Sequence, residues 1–403
     1  MTTTAKPPVR TTGPLKWLND NVFRTWWDGI VTVVAGGLLL WLLGSFLSWV
    51  FTSAEWDIVR VNLVTFMVGR FPREELWRVG VALLILAFAG GLLLGMSLRL
   101  KPRVTALEAL RTFAVRAWPV AILVVLLLIL ASSLSALVLV AGATLAFIIG
   151  RGGGYRLPQS RTRLGMVVGL LSPFAFVAVI AGFGGVGWNL WGGLLLTMLL
   201  AVGGIALSFP FGVMLALGRR STLPAARWLS ITYIEVIRGV PLITLLFMGF
   251  VMLTLFLPAG VSAPSLVIRG IVVLTIFTAA YVAEIVRGGL QSVPNGQVEA
   301  AHALGMSPIQ TTFNIVLPQA LTAVIPALVG QFISLFKDTS LVAIVGLLEL
   351  LGVAQAITQQ PAFAGQGLLL ETLLFASLIF WVGSFTMSRE SQRLEKRLGV
   401  GER

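Results

Sequence analysis

Residues 299 to 318 read EAAHALGMSPIQTTFNIVLP, and both the residue types and their spacing suit a docking element. Glu299-Ala300-Ala301 is followed three residues later by Gly305, nine residues after that by Ile315, and one residue further on by Leu317-Pro318. Glu299 to Leu304 is a short run of helix formers whose small side chains leave a low-relief face. Gly305 then supplies a position that tolerates positive φ and stops the helix. The stretch lies in the longest polar gap of the C-terminal half, between two strongly apolar segments, so the pattern predicts a loop outside the membrane. A small knob-like helix there suits insertion into a cleft on another protein; the plain alternative is an ordinary helix-turn-helix connection between spans.

Charges inside apolar segments are expensive and mark functional candidates. Glu284 and Arg287 stand at i, i+3 on one predicted helix face, and Glu235 and Arg238 repeat that spacing just before Pro241. Each pair is either a structural ion pair near a span end or a group in a transport path. Polar residues also interrupt the apolar run at Gln331-Phe-Ile-Ser-Leu-Phe-Lys337-Asp338-Thr339-Ser340. Asp338, Thr339 and Ser340 are N-cap types, so the sequence predicts a broken helix whose second half starts at Leu341. A break at membrane depth must face a cavity or packed protein, and the positive end of such a half-helix suits a carboxylate. Lys337 and Asp338 could instead neutralise each other and cap a structural break.

The elements that hold these residues follow from composition. Over 403 residues the chain is 57% hydrophobic and 11% charged, with mean hydropathy +0.95. Soluble domains run near 45–50% apolar and about 25% charged, so this is an all-α polytopic membrane protein. The net charge of +13 does not form a nucleic-acid patch. Most of its Lys and Arg residues sit between the apolar segments, at 6–24, 99–116, 151–163, 219–227 and 389–403, which is positive-inside bias. Trp26, Trp27, Trp49, Trp77, Trp118, Trp188, Trp191 and Trp381 fall near predicted span ends and read as interfacial anchors. With no cysteine and only His302, thiol catalysis, disulfides and Cys- or His-rich metal sites are excluded. None of the five lysines follows a glycine, so a P-loop is excluded too. ATP driving this protein would have to be hydrolysed by another chain.

Two halves are expected. Residues 1–187 hold apolar segments near 30–51, 79–98, 118–150 and 164–183. The first has the length of a span rather than a signal-peptide core and is expected to remain as an uncleaved anchor. The 118–150 stretch is long for one span and short for two; a single span would put the Arg-rich 151–163 loop on the wrong side, so a tight helical hairpin is preferred. That gives five spans, with 54–77 as an extracytoplasmic loop. Residues 188–403 hold further segments near 191–217, 240–258, 266–287, 321–356 and 367–387, for about ten spans in all.

The spaced positions of the 299–318 stretch resemble the EAA signature of ABC importer membrane subunits. YIEVIRGVPL at 233–242, AAYVAEIVRGGLQSVPNGQVEAAHALG at 279–305 and KDTSL at 337–341 make the second half similar to permeases of polar amino-acid importers. The resemblance implies a type I ABC importer (MetI-like) core in 188–403, with its EAA loop at 290–320, preceded by a transmembrane extension over 1–187. It implies that Glu299, Ala300, Ala301, Gly305, Ile315, Leu317 and Pro318 couple the chain to an ATPase. Glu299 would join a local salt bridge or cap, the alanines would allow close approach, Gly305 would turn the chain, and Pro318 would mark its return to the membrane. Glu284, Lys337, Asp338, Thr339 and Ser340 are the candidates along a substrate path. The implied protein is a transport subunit rather than an enzyme, with no cofactor of its own; ATP and Mg2+ belong to the partner. Implied partners are an ABC ATPase dimer, an extracytoplasmic solute-binding protein, an amino-acid substrate and the lipid membrane, with no nucleic acid. The long N-terminal half resembles that of general L-amino acid importers, in which two related permeases pair, so a heterodimer is expected. The implied place is the bacterial cytoplasmic membrane, with both termini cytoplasmic. The competing function is an ion-gradient-driven secondary amino-acid transporter, for which Glu284, Asp338 and Glu371 would form the carboxylate relay.

Overall fold

The computed structural model describes residues 13–99, 106–182, 184–258 and 260–398, which divide into two compact units, Met1–Trp56 and Asp57–Arg403. Among the described residues the regular structure is helical, apart from one isolated bridge between Gly193 and Glu349.

The first unit holds α1 (Pro14–Asn21) and α2 (Trp26–Ser48), the latter closing in a π turn at Trp49–Ser53. A reciprocal capping box starts α2: the Asp28 N–H donates to Thr25 Oγ1 at 3.2 Å, and the Thr25 N–H donates to Asp28 Oδ2 at 3.0 Å. None of α2 is buried within its unit. A helix that is apolar all round suits a lipid surround.

The second unit opens with α3 (Asp57–Val61) and α4 (Leu63–Val68), in the stretch expected to be a loop. Its mixed charge hides a folded element. The Asp57–Arg60 ion pair (3.1 Å) stays exposed, while Ile58, Val59, Leu63, Phe66, Val68 and Phe71 are buried. Next come α5 (Leu76–Arg99), α6 (Ala106–Ala131), α7 (Leu134–Arg156) and α8 (Thr162–Ala181). The 118–150 stretch does break in two, at Ser132 (φ 42°) and at Ser133, which N-caps α7. The two helices do not form a tight hairpin, because each takes a different partner. Trp118 of α6 packs edge-on against Phe385 at 5.7 Å between ring centroids. In contrast, α7 lies along α5 with backbones touching: a Cβ on Gly91 would stand 2.1 Å from the Phe147 carbonyl oxygen, and one on Gly154 2.1 Å from that of Leu92. Glycines at 91, 95, 150 and 154 let two membrane helices approach this closely.

The remaining elements are α9 (Gly193–Arg219), α10 (Pro224–Gly239), α11 (Leu242–Phe247), α12 (Leu253–Phe256), α13 (Leu266–Ser292), α14 (Asn295–Ala303), α15 (Pro308–Thr311), α16 (Leu317–Asp338), α17 (Leu350–Ile357) and α18 (Leu369–Leu398). Among the described residues eight helices are long and apolar enough to cross a membrane, nine with the bent pair of α10 and α11–α12. The further span expected from sequence corresponds to α6, whose apolar part Trp118–Ala131 is shorter. The 105° bend between α10 and α11 falls at Val240-Pro241. Pro241 has no N–H to offer and forces the preceding residue out of the helical region.

Two apolar cores mark the two ends of the second unit. Leu195, Leu196, Val267, Leu347 and Trp191 belong to one, at the N-terminal ends of α9 and α13. Ala216, Ile234, Val286, Leu290 and Val316 belong to the other, at their C-terminal ends. At 1.5 Å per residue, Leu196 of the first core and Ala216 of the second lie about 30 Å apart along α9.

Candidate functional site

The 290–320 loop, expected to couple, is built at the second end. Gly289 fixes its root: a Cβ there would lie 2.6 Å from the Ala320 carbonyl oxygen, so α13 and α16 cross with backbones in contact. Arg220 Nη1 donates to the Leu290 carbonyl at 3.0 Å, tying the end of α9 to the same root. From there Pro294 starts α14, which closes in a left-handed turn. Gly305 has φ 79°, its N–H donates to the His302 carbonyl at 2.9 Å, and the Met306 N–H reaches back to the Ala301 carbonyl at 3.1 Å. No atom stands within 4 Å of a Cβ built on Gly305, so it is backbone geometry rather than crowding that favours glycine.

The loop residues divide by exposure. Ala301 is buried at 4% and holds α14 against the chain, whereas Glu299 and Ala300 are exposed. Glu299 joins no salt bridge or cap among the described residues, unlike the role that the resemblance implies for it. Beyond it Leu304 is 82% exposed, Ile309 72% and Phe313 54%. These three were not singled out in the sequence, where they look like any apolar residues bordering a span. The turn back into the bundle comes at Ser307-Pro308 rather than at Pro318. Ser307 caps α15 reciprocally with Gln310, and helix continues from there to Val345. Pro318 lies inside this run, immediately after a π turn at Thr312–Val316 that precedes its missing N–H. Ile315 and Leu317 are half-buried on the same turn.

The Lys337–Ser340 turn differs from expectation. No new helix starts at Leu341. Thr339 keeps a helical backbone (φ −57°, ψ −26°) and α16 tightens into a 3-10 turn over Thr339–Val345. The hydroxyls point backward: Thr339 Oγ1 donates to the Phe336 carbonyl at 2.7 Å and Ser340 Oγ to that of Lys337 at 2.8 Å. They therefore serve carbonyls at a helix C-terminus instead of capping an N-terminus, an alternative always open to Ser and Thr. The next helix, α17, starts twelve residues after Asp338, and its N-terminus is already occupied by the Glu349 carboxylate, which accepts the Gly352 N–H at 2.8 Å. Lys337 and Asp338 form no ion pair; neighbours at i, i+1 point apart on a helix. Lys337 is exposed, and half-buried Asp338 accepts from Ser334 Oγ at 3.4 Å.

Glu284 belongs to a separate cluster. Arg287 Nε donates to Glu284 Oε1 at 2.9 Å, as the i, i+3 spacing predicts. Arg219 (3.5 Å) and Arg238 (3.8 Å) approach the other oxygen. The Glu235–Arg238 pair does not form; Glu235 binds Arg219 at 2.9 Å instead, and Arg238 lies 5.8 Å from the Tyr281 ring centre. One carboxylate thus gathers arginines from α9, α10 and α13.

Sequence reasoning missed Glu349 altogether. It is fully buried, lies between the spans Pro308–Val345 and Leu369–Lys396, and receives Thr197 Oγ1 at 3.3 Å. Burial pushes its carboxyl up to about 7, against hydrogen bonds from Leu351, Gly352, Thr197 and Leu350 that pull it down. A single Glu within an apolar LLELL run gives no periodic signal.

The chain is similar in sequence to known proteins. Residues 208–400 match the family described as binding-protein-dependent transport system inner membrane component. The chain is 36% identical to the inner membrane amino-acid ABC transporter permease protein YhdY of Escherichia coli K12, over 96% of this chain and 93% of that protein. It is 32% identical to the glutamate/glutamine/aspartate/asparagine transport system permease protein BztC of Rhodobacter capsulatus, over 97% and 95%. A solved amino acid ABC transporter with histidines is 31% identical over 51% of this chain and 91% of that one, with TM-score 0.45. On the full-length match to YhdY and the family match across the coupling loop, the chain belongs to the family of binding-protein-dependent transport system inner membrane components, as an amino-acid ABC importer permease.

Proposed function

We propose that this chain forms one side of the translocation path of an ATP-driven amino-acid importer and receives the ATPase stroke through the 290–320 loop. The observation that carries this is α14 with its Gly305 turn. It is a short helix rooted at the Gly289–Ala320 crossing, and together with the turn that follows it exposes Glu299, Leu304, Ile309 and Phe313. A knob anchored so firmly transmits displacement to α13 and α16 as a rigid body. ATP and Mg2+ belong to the partner ATPase dimer. A second, related permease, an extracytoplasmic solute-binding protein and a cytoplasmic-membrane location with both termini inside complete the reading. The relatives' printed names support polar amino acids as cargo. Lys337 and Asp338 supply one cationic and one anionic group, a match for a zwitterion. Proteoliposomes holding the chain with its neighbour-encoded subunits test the reading. ATP-dependent uptake of labelled L-amino acids that requires the binding protein supports it, whereas uptake that survives ATP depletion and collapses with the ion gradient overturns it.

A further inference from the structure

At the end of the second unit opposite the coupling loop, α3 and α4 are locked into the core by contacts that tolerate no sliding. A Cβ on Gly69 would stand 2.4 Å from Gly192 Cα, and one on Gly193 would stand 2.1 Å from the Phe66 carbonyl oxygen. The Gly192 N–H donates to the Val68 carbonyl at 3.1 Å, and the Gly193 N–H to that of Leu348 at 2.9 Å. Phe66, fully buried, meets Phe375 of α18 edge-on at 4.9 Å. Asn62 uses both ends of its amide: its Nδ2 donates to the Ile58 carbonyl at 3.0 Å, while its Oδ1 accepts from Gln360 Nε2 at 3.0 Å from just beyond α17. A buried amide satisfied on both sides fixes its partners, since parting them leaves polar groups unpaired. Three core elements, α9, α17 and α18, are therefore held by one short segment of the N-terminal half. The same end carries the Gly193–Glu349 bridge, so α3–α4 backs the buried carboxylate that starts α17.

We propose that α3–α4 is a brace that makes α9, α17 and α18 move as one body during transport, and that Asn62 and Gln360 are its positioning residues. This rests on the importer reading above. It explains what an extension adds to a permease type that also exists without it: the probable glutamine permease GlnP of Bacillus subtilis matches over 93% of its own length while covering only 52% of this chain.

The test uses the assembled complex in proteoliposomes with a mixture of labelled L-amino acids, and wild-type uptake checks the importer reading separately. The chain has no cysteine, so Asn62→Cys with Gln360→Cys, joined by a short bis-thiosulfonate, introduces the only link. A permanent contact predicts that linking leaves uptake at or above that of the unlinked double variant; a tenfold loss on linking would show that the contact opens in each cycle and would overturn the brace. Asn62→Ala and Gln360→Ala should each lower amino acid transported per ATP hydrolysed by about threefold or more. The exchanged pair Asn62→Gln with Gln360→Asn, which preserves the amide reach, should restore it. If the alanine variants lower melting temperature alone, with transport per ATP unchanged, the segment is a structural prop and the proposal fails.

Discussion

Thr197 and Glu349 stand 152 positions apart in sequence and share a buried hydrogen bond. The Thr197 hydroxyl divides its hydrogen between Glu349 Oε2 at 3.3 Å and the Gly193 carbonyl at 3.1 Å, and accepts the Leu350 N–H at 3.1 Å. One small side chain thus joins the first turn of α9 to the first turn of α17. With the Gly352 N–H also on Glu349, the carboxylate replaces much of its lost hydration by fixed donors. That replacement is incomplete, which is why burial still dominates its titration.

A pH dependence follows from that raised carboxyl. The folded state holds the proton more tightly than the unfolded chain, whose carboxyl titrates near 4.5. The stabilising contribution is therefore complete below that value and is lost as pH rises to about 7. Glu349→Gln, neutral throughout and still able to accept hydrogen bonds, should remove this slope. The check is melting temperature of the purified complex between about pH 5 and 8. Identical slopes in wild type and variant would contradict the assignment.

The coupling turn gives a sharper outcome. Gly305→Val places a β-branched residue at φ 79°, and Glu299→Lys reverses an exposed charge on the same knob. The strain of the first is on the order of 1–2 kcal/mol, enough to reshape a turn but not to unfold a bundle. Both should cut uptake at least tenfold with membrane abundance unchanged. Uptake near the wild-type level in either variant would remove these residues from the coupling.

Leu304 tests the proposed docking of α14 on the ATPase. At 82% exposure it contributes little to this chain's own packing, so Leu304→Asp should leave thermal stability within about 0.5 kcal/mol. Co-purification of the ATPase should fall several-fold. Retention of the ATPase at wild-type stoichiometry would show that the apolar patch is not its seat.

Legibility in the sequence followed the range of the physical signal. The coupling loop was readable because helix formers, a glycine turn and a polar gap are all local, and the structure returns α14 and the Gly305 turn where the residues placed them. Span positions were readable from apolar runs for the same reason. The α3–α4 segment was not, since Asp57, Arg60 and Arg73 mask buried positions whose partners lie far along the chain. Ser340 misled because hydroxyl residues cap either helix end, and only the tertiary path decides which. The Glu349–Thr197 contact joins positions 152 apart and leaves no local signal.

The Glu284 cluster should behave as a structural hub. Glu284→Gln leaves Arg219, Arg238 and Arg287 crowded with only Glu235 to compensate. The loss should be about 2 kcal/mol, less than for a fully buried pair because these side chains are a quarter to a third exposed. Melting temperature should fall, and Arg287→Gln added to Glu284→Gln should recover part of the loss. A stable Glu284→Gln complex with altered substrate preference would move this residue into the path.

The Lys337–Ser340 turn, proposed as a substrate contact, yields the last prediction. The N–H groups near Thr339 and Ser340 are those of a continuing helical turn, and the α17 N-terminus is filled by Glu349, so neither offers a free set of donors to a carboxylate. The charged groups available at this turn are exposed Lys337, suited to the substrate carboxylate, and half-buried Asp338, suited to its ammonium. Asp338→Asn removes the charge while keeping the Ser334 hydrogen bond within reach, and should lower uptake at least tenfold with ATPase docking intact. Ser340→Ala removes only a bond to the Lys337 carbonyl and should cost less than about threefold, on the order of 0.6 kcal/mol. A decarboxylated amine analogue should be transported poorly by the wild type, and equally poorly by Lys337→Gln. Wild-type uptake in Asp338→Asn, or a larger loss in Ser340→Ala than in Asp338→Asn, would move recognition away from this turn.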